Sequence, residues 1–271
     1  ILIVGSNTTE QHPLIASQII KAVQKGAKLI VADPRKTQIA KLSGLYMSLK
    51  PGSDVALLNG MMNYIISEGL FDKQFVETRT EGFEDLKKAV ADCTPQKASQ
   101  ITGIPAEQII QAAKTYAGSK KSSIVYCMGV TQHITGVDNV MSCANLAMLT
   151  GNVGRESTGV NPLRGQSNVQ GACDMGGLPN VLTGYQAVGN DELRKKFEDA
   201  WGVKLPAKVG LTATQMIECA ADGRVKAMYI MGENPMVSDP DSNHTEKTLK
   251  KLDFLVVQDI FLTETAKLAH V

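Results

Sequence analysis

ILIVGSNTTEQHPLIASQIIKAVQKGAKLIVADPRK, residues 1–36, is the stretch from which the fold is read. Residues 1–4 are continuously apolar and end at Gly5-Ser6-Asn7, a turn. Pro13 suits the first position of a helix, and Leu14, Ile15, Ile19, Ile20 and Val23 fall on one face of a stretch that Gly26 stops. Residues 28–32 read as a second buried strand, apolar from Leu29, and end at Asp33-Pro34-Arg35. Apolar strands without alternation, joined through a helix, are the mark of a parallel sheet covered on both faces.

The same alternation continues outward. Residues 37–42 and 55–68 have helical spacing, and 71–116 reads as helical, with Thr80-Glu81-Gly82-Phe83 and Ile104-Pro105-Ala106-Glu107 opening segments within it. A strand is expected at 123–127 and a helix at 137–149. Residues 151–189 are rich in Gly, Asn, Gln and Pro with little periodicity, and a connection of that length is usually functional or disordered. Helices near 192–201 and 214–222, a strand at 227–231, a helical stretch at 244–252 and a strand at 254–258 follow. The expected class is α/β, with two doubly wound, mainly parallel lobes: residues 1–165, ending in an arginine loop, and residues 166–271, an incomplete second lobe. A start in mid-strand at Ile1 and a stop without a turn signal at Val271 predict an internal fragment of a longer protein.

Composition excludes several function classes. A formal net charge of +1 offers no general field for nucleic acid or an anionic membrane, so neither partner is expected. No stretch approaches the roughly 18 apolar residues that span a bilayer. Cys93, Cys127, Cys143, Cys173 and Cys219 are odd in number and lack CxxC spacing, which argues against a disulfide framework or a local metal or iron–sulfur site. Free thiols fit a reducing, cytoplasmic compartment.

Four strand ends carry related chemistry: Val4-Gly5-Ser6-Asn7, Ala32-Asp33-Pro34-Arg35, Met128-Gly129-Val130-Thr131-Gln132 and Met231-Gly232-Glu233-Asn234. Ligands of open α/β sheets sit beyond such ends. Gly admits close backbone approach, and an acid such as Asp33 can accept from ribose hydroxyls or a purine N–H edge. Each is also what an ordinary strand-to-helix turn looks like, and the GxGxxG nicotinamide fingerprint is missing. In residues 161–176, NPLRGQSNVQGACDMG, Arg164 presents a planar donor fork suited to a carboxylate, although a solvated loop arginine reads the same way.

Residues 161–176 resemble the signature loop of formate dehydrogenase catalytic (alpha) subunits in the molybdopterin oxidoreductase family. Other motifs follow in that family's order: VGSNTTEQHP (4–13), VADPRKT (31–37), LKPGSDVALLNG (49–60), EGFEDLK (81–87), MGVTQH (128–133), LAMLTGNVG (146–154), YIMGENP (229–235) and VVQDIFLTETA (256–266). The resemblance spans essentially the whole chain. It implies a bis(molybdopterin guanine dinucleotide) with molybdenum or tungsten, and formate and carbon dioxide as substrate and product. It assigns the catalytic, formate-orienting role to Arg164. Cofactor contacts are implied for Gly5, Asn7, Asp33, Arg35, Gly52, Asp54, Gly129, Gln132, Gln166, Gly232, Asn234, Gln258, Asp259 and Thr263.

The family's cysteine or selenocysteine metal ligand and its [4Fe–4S] cysteines should lie upstream of Ile1, so the isolated piece is expected to be inactive. Iron–sulfur electron-transfer or hydrogenase subunits are the implied partners. A nitrate reductase or a pterin-free scaffold relative in a respiratory complex are the rival readings; Arg164 and the intact glycine turns weigh against them.

Overall fold

Residues 1–36 fold as the expected strand–helix–strand unit in the computed structural model, which describes residues 1–271. Strands β1 (Leu2–Val4) and β2 (Ile30–Ala32) pair in parallel and flank the helix Pro13–Gln24. β3 (Leu45–Met47), β4 (Ser123–Tyr126) and β5 (Gly159–Pro162) complete one sheet, ordered β3-β2-β1-β4-β5 and parallel throughout. Contacts divide the chain into two compact units, Ile1–Ser167 and Asn168–Val271.

The sheet of the first unit is covered on both faces. Leu2, Val4, Ile30, Ala32, Ile124 and Tyr126 belong to one core with Leu57, Leu58, Met61, Met62 and Ile65 of the helix Asp54–Ser67. Ile109 and Ala112 of the helix Ala106–Ala117 and Leu146 of the helix Gly136–Leu149 join it. Ile3, Val31 and Val125 point to the opposite face, where Ile19 and Ile39 meet them. The register aligns Leu2 with Ile30 and Ile124, so the two-residue strand period sends matching positions to the same core. Burying each of the Val, Leu, Ile and Met side chains among them contributes about 1.5–3 kcal/mol. This is a doubly wound sheet.

Local signals set the helix starts. Pro13 and Pro95 occupy first helical positions, the Asp72 side chain accepts from the Phe75 amide at 2.9 Å, and Thr94 accepts from Lys97 at 3.3 Å. The helical stretch 71–116, expected to hold separately capped segments, comprises four helices, Lys73–Arg79, Phe83–Val90, Pro95–Thr102 and Ala106–Ala117.

Residues 151–189 contain more order than their composition announces. β5 lies within them and pairs with β4, followed by the helix Val169–Asp174 and the short antiparallel strands β6 (Val181–Leu182) and β7 (Gln186–Ala187). β5 is an edge strand, built from Gly, Val, Asn and Pro. Its pairing comes from backbone bonds to β4, which leave no hydrophobic pattern, and Pro162 is tolerated there because an edge needs fewer donors.

In the second unit β8 (Ala227–Met231) and β9 (Phe254–Gln258) pair in parallel. Met228 and Ile230 pack with Leu255, Ala220 and Leu249, the last two from the helices Ala213–Ala221 and Ser242–Leu249. Thr212 closes a complete capping box with Gln215 at the start of the first of these helices. No helix of the chain is long and apolar enough to cross a membrane.

Candidate cofactor and substrate site

The strand order reverses between β1 and β4: the chain leaves β1 toward β2 and β3, then returns on the other side. Loops diverge at such a switch point and open a crevice at the carboxyl edge. Gly5 follows β1 at φ +54°, and Gly129 lies in the short helix Met128–Thr131 after β4. Their backbones touch, the Gly129 amide donating to the Gly5 carbonyl at 3.2 Å. A Cβ on Gly5 would lie 2.6 Å from the Gly129 carbonyl carbon, and one on Gly129 would lie 2.6 Å from the Gly5 oxygen. Both positions admit only hydrogen.

This floor supports a cleft of about 500 Å³, inside the roughly 300–1,000 Å³ range of small-molecule and cofactor sites. Gly5, Asn7, Asp33, Arg35, Asp54, Gly129 and Gln132, all singled out from the sequence, line it together. Gly52 is outside the lining, but its neighbour Pro51 is within it. Gln11, Pro34, Met128 and His133 complete the walls with Pro51; the first four lie inside the motifs above but were not singled out as site residues. Their signal is proximity to a turn, which does not say which side chains face inward.

The polar groups of the cleft are partly committed. Asp33 is buried; its Oδ1 accepts from the Arg35 amide at 2.8 Å, which shapes the turn after β2. Asn7 Oδ1 accepts from the Thr9 hydroxyl at 3.2 Å. Behind the cleft lining, the hydroxyls of Ser6, Thr8 and Thr37 are buried without a partner. Asp54 opens the helix Asp54–Ser67 and is only 4% exposed. Burial raises its carboxyl above the ordinary carboxylate range; its own backbone amide and the nearby His133 pull it back, and Asp33 adds a smaller upward push.

A carboxyl that is harder to ionise in the folded chain than unfolded costs stability progressively as pH rises from the ordinary value through the raised one, and in full above it. Asp54→Asn should therefore raise the Tm of the ligand-free protein at pH 7, with a smaller gain near pH 4. Thermal unfolding at both pH values checks this, and an equal gain at both would rule out the buried charge as the cause.

Arg164 follows β5 at the same carboxyl edge. The Leu163 amide donates to the Tyr126 carbonyl at 2.8 Å, and the Cys127 thiol donates to the Leu163 carbonyl at 3.1 Å. His12 Nε2 lies 2.6 Å from the Arg164 carbonyl oxygen. Burial pushes the Tyr126 phenol up, Cys143 adds to this, and the positive charge of Arg164 pulls it back down, so the guanidinium lies within electrostatic reach of β4. Arg164 and Gln166 are exposed and do not line the cleft.

The remaining predicted residues gather at the carboxyl ends of β8 and β9. The Gly232 amide donates to the Gln258 carbonyl at 2.9 Å, and the Tyr229 hydroxyl donates to the Gln258 side chain. Asn234 Oδ1 accepts from the Thr265 amide at 3.1 Å and its hydroxyl at 2.7 Å, while Nδ2 donates to Glu264 at 2.9 Å. Asp259 accepts from the Phe261 amide, and Thr263 from the Ala266 amide. Across residues 1–271 no group of three or more His, Cys, Asp or Glu side chains is arranged to hold a metal ion.

Fold and cleft place the first unit among doubly wound α/β domains that open a polar crevice at the switch point. A family model for molybdopterin oxidoreductases matches residues 1–271, and the chain belongs to that family. It is 59% identical over 271 residues to the F420-dependent formate dehydrogenase subunit alpha of Methanocaldococcus jannaschii, covering all of this chain and 40% of that protein. It is 48% identical over 272 aligned positions to formate dehydrogenase H of Escherichia coli, covering all of this chain and 38% of that protein. Acetylene hydratase from Pelobacter acetylenicus superposes with a TM-score of 0.76 at 26% identity, over 99% of this chain and 39% of that one. The chain thus spans about two fifths of the length of the relatives it matches.

Proposed function

We propose that these residues are the cofactor-clasping middle of a formate dehydrogenase catalytic subunit, which oxidises formate to carbon dioxide reversibly. Identities of 48–59% across the whole chain to proteins named as formate dehydrogenases support this. The observation that carries it is the position of Arg164, at the same sheet edge as the cleft, on a strand end pinned from both sides. The fold alone does not choose the substrate, since the similar acetylene hydratase carries a different name; the arginine loop does.

The residues present suit a bis(molybdopterin guanine dinucleotide). Asp33 and Asp54 offer carboxylates for ribose hydroxyls and a guanine N–H edge, and Arg35 offers a cation for phosphate. The Gly5–Gly129 floor, where a Cβ would clash, leaves bare backbone for a phosphate to approach. Gly232, Asn234, Gln258, Asp259 and Thr263 form the equivalent turn set on the second unit, and Gln166 is assigned to a pterin. When bound, the molybdenum or tungsten centre supplies the two-electron redox chemistry. Arg164 docks the formate carboxylate through two parallel charge-assisted hydrogen bonds and holds it in one orientation. An upstream [4Fe–4S] cluster and iron–sulfur or hydrogenase partner subunits would supply the route for the electrons, in a cytoplasmic enzyme.

Metal and pterin analysis of the full-length protein, paired with dye reduction by formate, tests this reading. Bound guanine dinucleotide with molybdenum or tungsten and formate-dependent dye reduction are expected. A pterin-loaded protein that consumes nitrate and ignores formate would move it to the nitrate reductase reading, and a protein that binds no pterin would make it a scaffold.

A further inference from the structure

We propose that His12 is a positioning residue that holds Arg164 in its working orientation; this rests on the reading of Arg164 as the formate-docking group. His12 stands between the helices Thr8–Gln11 and Pro13–Gln24, and both neighbours fix its backbone. Its amide donates to the Thr8 carbonyl at 3.0 Å, and its carbonyl accepts from the Ala16 amide at 2.9 Å. Pro13 restricts it further by occupying the first position of the following helix. The ring therefore projects from a rigid base.

From that base Nε2 reaches 2.6 Å to the Arg164 carbonyl, across 152 positions of sequence. A carbonyl can only accept, so Nε2 carries the proton and donates. Nδ1 is buried without a partner, so the ring's hydrogen bonding runs through Nε2 alone. The bond to Arg164 is therefore the one polar contact of the ring.

The position of this bond along the loop gives it consequence. Leu163 is held on both sides, by Tyr126 and Cys127. Gly165 is exposed, with open space where a side chain would be. The His12 bond is thus the anchor just before the chain enters a glycine-led loop. A guanidinium sits at the end of a long flexible stem, and its two-point grip on a carboxylate depends on where that stem begins. Displacement of a positioning group by about 1 Å can cost about 100-fold in rate. A ring that fixes the Arg164 backbone therefore acts on formate without touching it.

A double-mutant cycle in the full-length holoenzyme tests the proposal, using His12→Ala, His12→Gln, Arg164→Ala and the His12→Ala/Arg164→Ala pair. His12→Ala should lower kcat/KM for formate about tenfold, the size one hydrogen bond supports, mainly through KM and with pterin and metal content unchanged. His12→Gln keeps an amide donor at similar reach and should restore most of the loss. In the Arg164→Ala background, His12→Ala should add less than twofold, because the group it positions is gone. Hydrogen exchange of the Leu163 amide should speed up in His12→Ala and recover in His12→Gln.

Equal losses in both backgrounds, no rescue by glutamine, or unchanged exchange would each overturn the role of His12. Wild-type turnover by Arg164→Ala alone would overturn the reading of Arg164 instead. In that case the exchange result still reports whether His12 anchors the loop.

Discussion

Replacing Arg164 by Lys in the full-length enzyme is expected to lower kcat/KM for formate by about 10²–10³-fold, the usual cost of losing one preorganised electrostatic contact. The charge is retained, so the loss isolates geometry. A guanidinium presents two parallel N–H groups that match the two oxygens of a carboxylate, whereas an ammonium is a point charge on a flexible stem. Arg164→Ala should lose at least as much. Pterin and metal content should stay near wild type in both variants, because Arg164 lies outside the cleft lined by Asp33 and Asp54. A solvated loop arginine predicts nearly unchanged kinetics for both. Steady-state kinetics with metal content measured on the same preparations decides, and wild-type turnover in the Ala variant would remove Arg164 from the mechanism.

The second large effect concerns the crevice floor. Gly5→Ala should destabilise the protein by about 2–6 kcal/mol, combining about 1–3 kcal/mol for a side chain at positive φ with a similar cost for overpacking. The new methyl would meet Gly129 backbone at 2.6–2.9 Å, and backbone on a sheet edge cannot rotate aside as a side chain can. Gly129→Ala lacks the φ penalty but meets Gly5 backbone at 2.6–2.9 Å, so it should cost about 1–3 kcal/mol, the overpacking part alone. Either change should push β1 from the turn after β4 and release the guanine dinucleotide proposed for the cleft.

Gly165→Ala is the control: its Cβ meets nothing within 4 Å and its φ is not positive, so stability should hardly change. Thermal unfolding and guanine-nucleotide content of the three variants form one experiment. A Gly5→Ala protein that melts with wild type and retains its nucleotide would show that the contact has room to relax.

Much of this protein is legible in order along the chain. The apolar runs 1–4, 29–32 and 124–127, separated by helical spacing, determine a parallel α/β class, because a strand buried on both faces cannot alternate. Glycine and carboxylate residues at the strand ends mark where a ligand can approach. Asp33 and Gly5 were identifiable for that reason, and the arginine loop by its resemblance. β3 and β5 were not, since three residues or an edge strand bury too little to leave a pattern.

Only the tertiary structure decides which marked turns meet. The order β3-β2-β1-β4-β5 makes β1 and β4 neighbours although about 120 residues separate them, and from that adjacency come the Gly5–Gly129 contact and the cleft it floors. The same packing brings His12 to Arg164. Local sequence records the periodicity of each element, which near neighbours enforce. The pairing of distant strands is set by the register of backbone hydrogen bonds and by the shared core beneath them, and neither leaves a mark at any single residue.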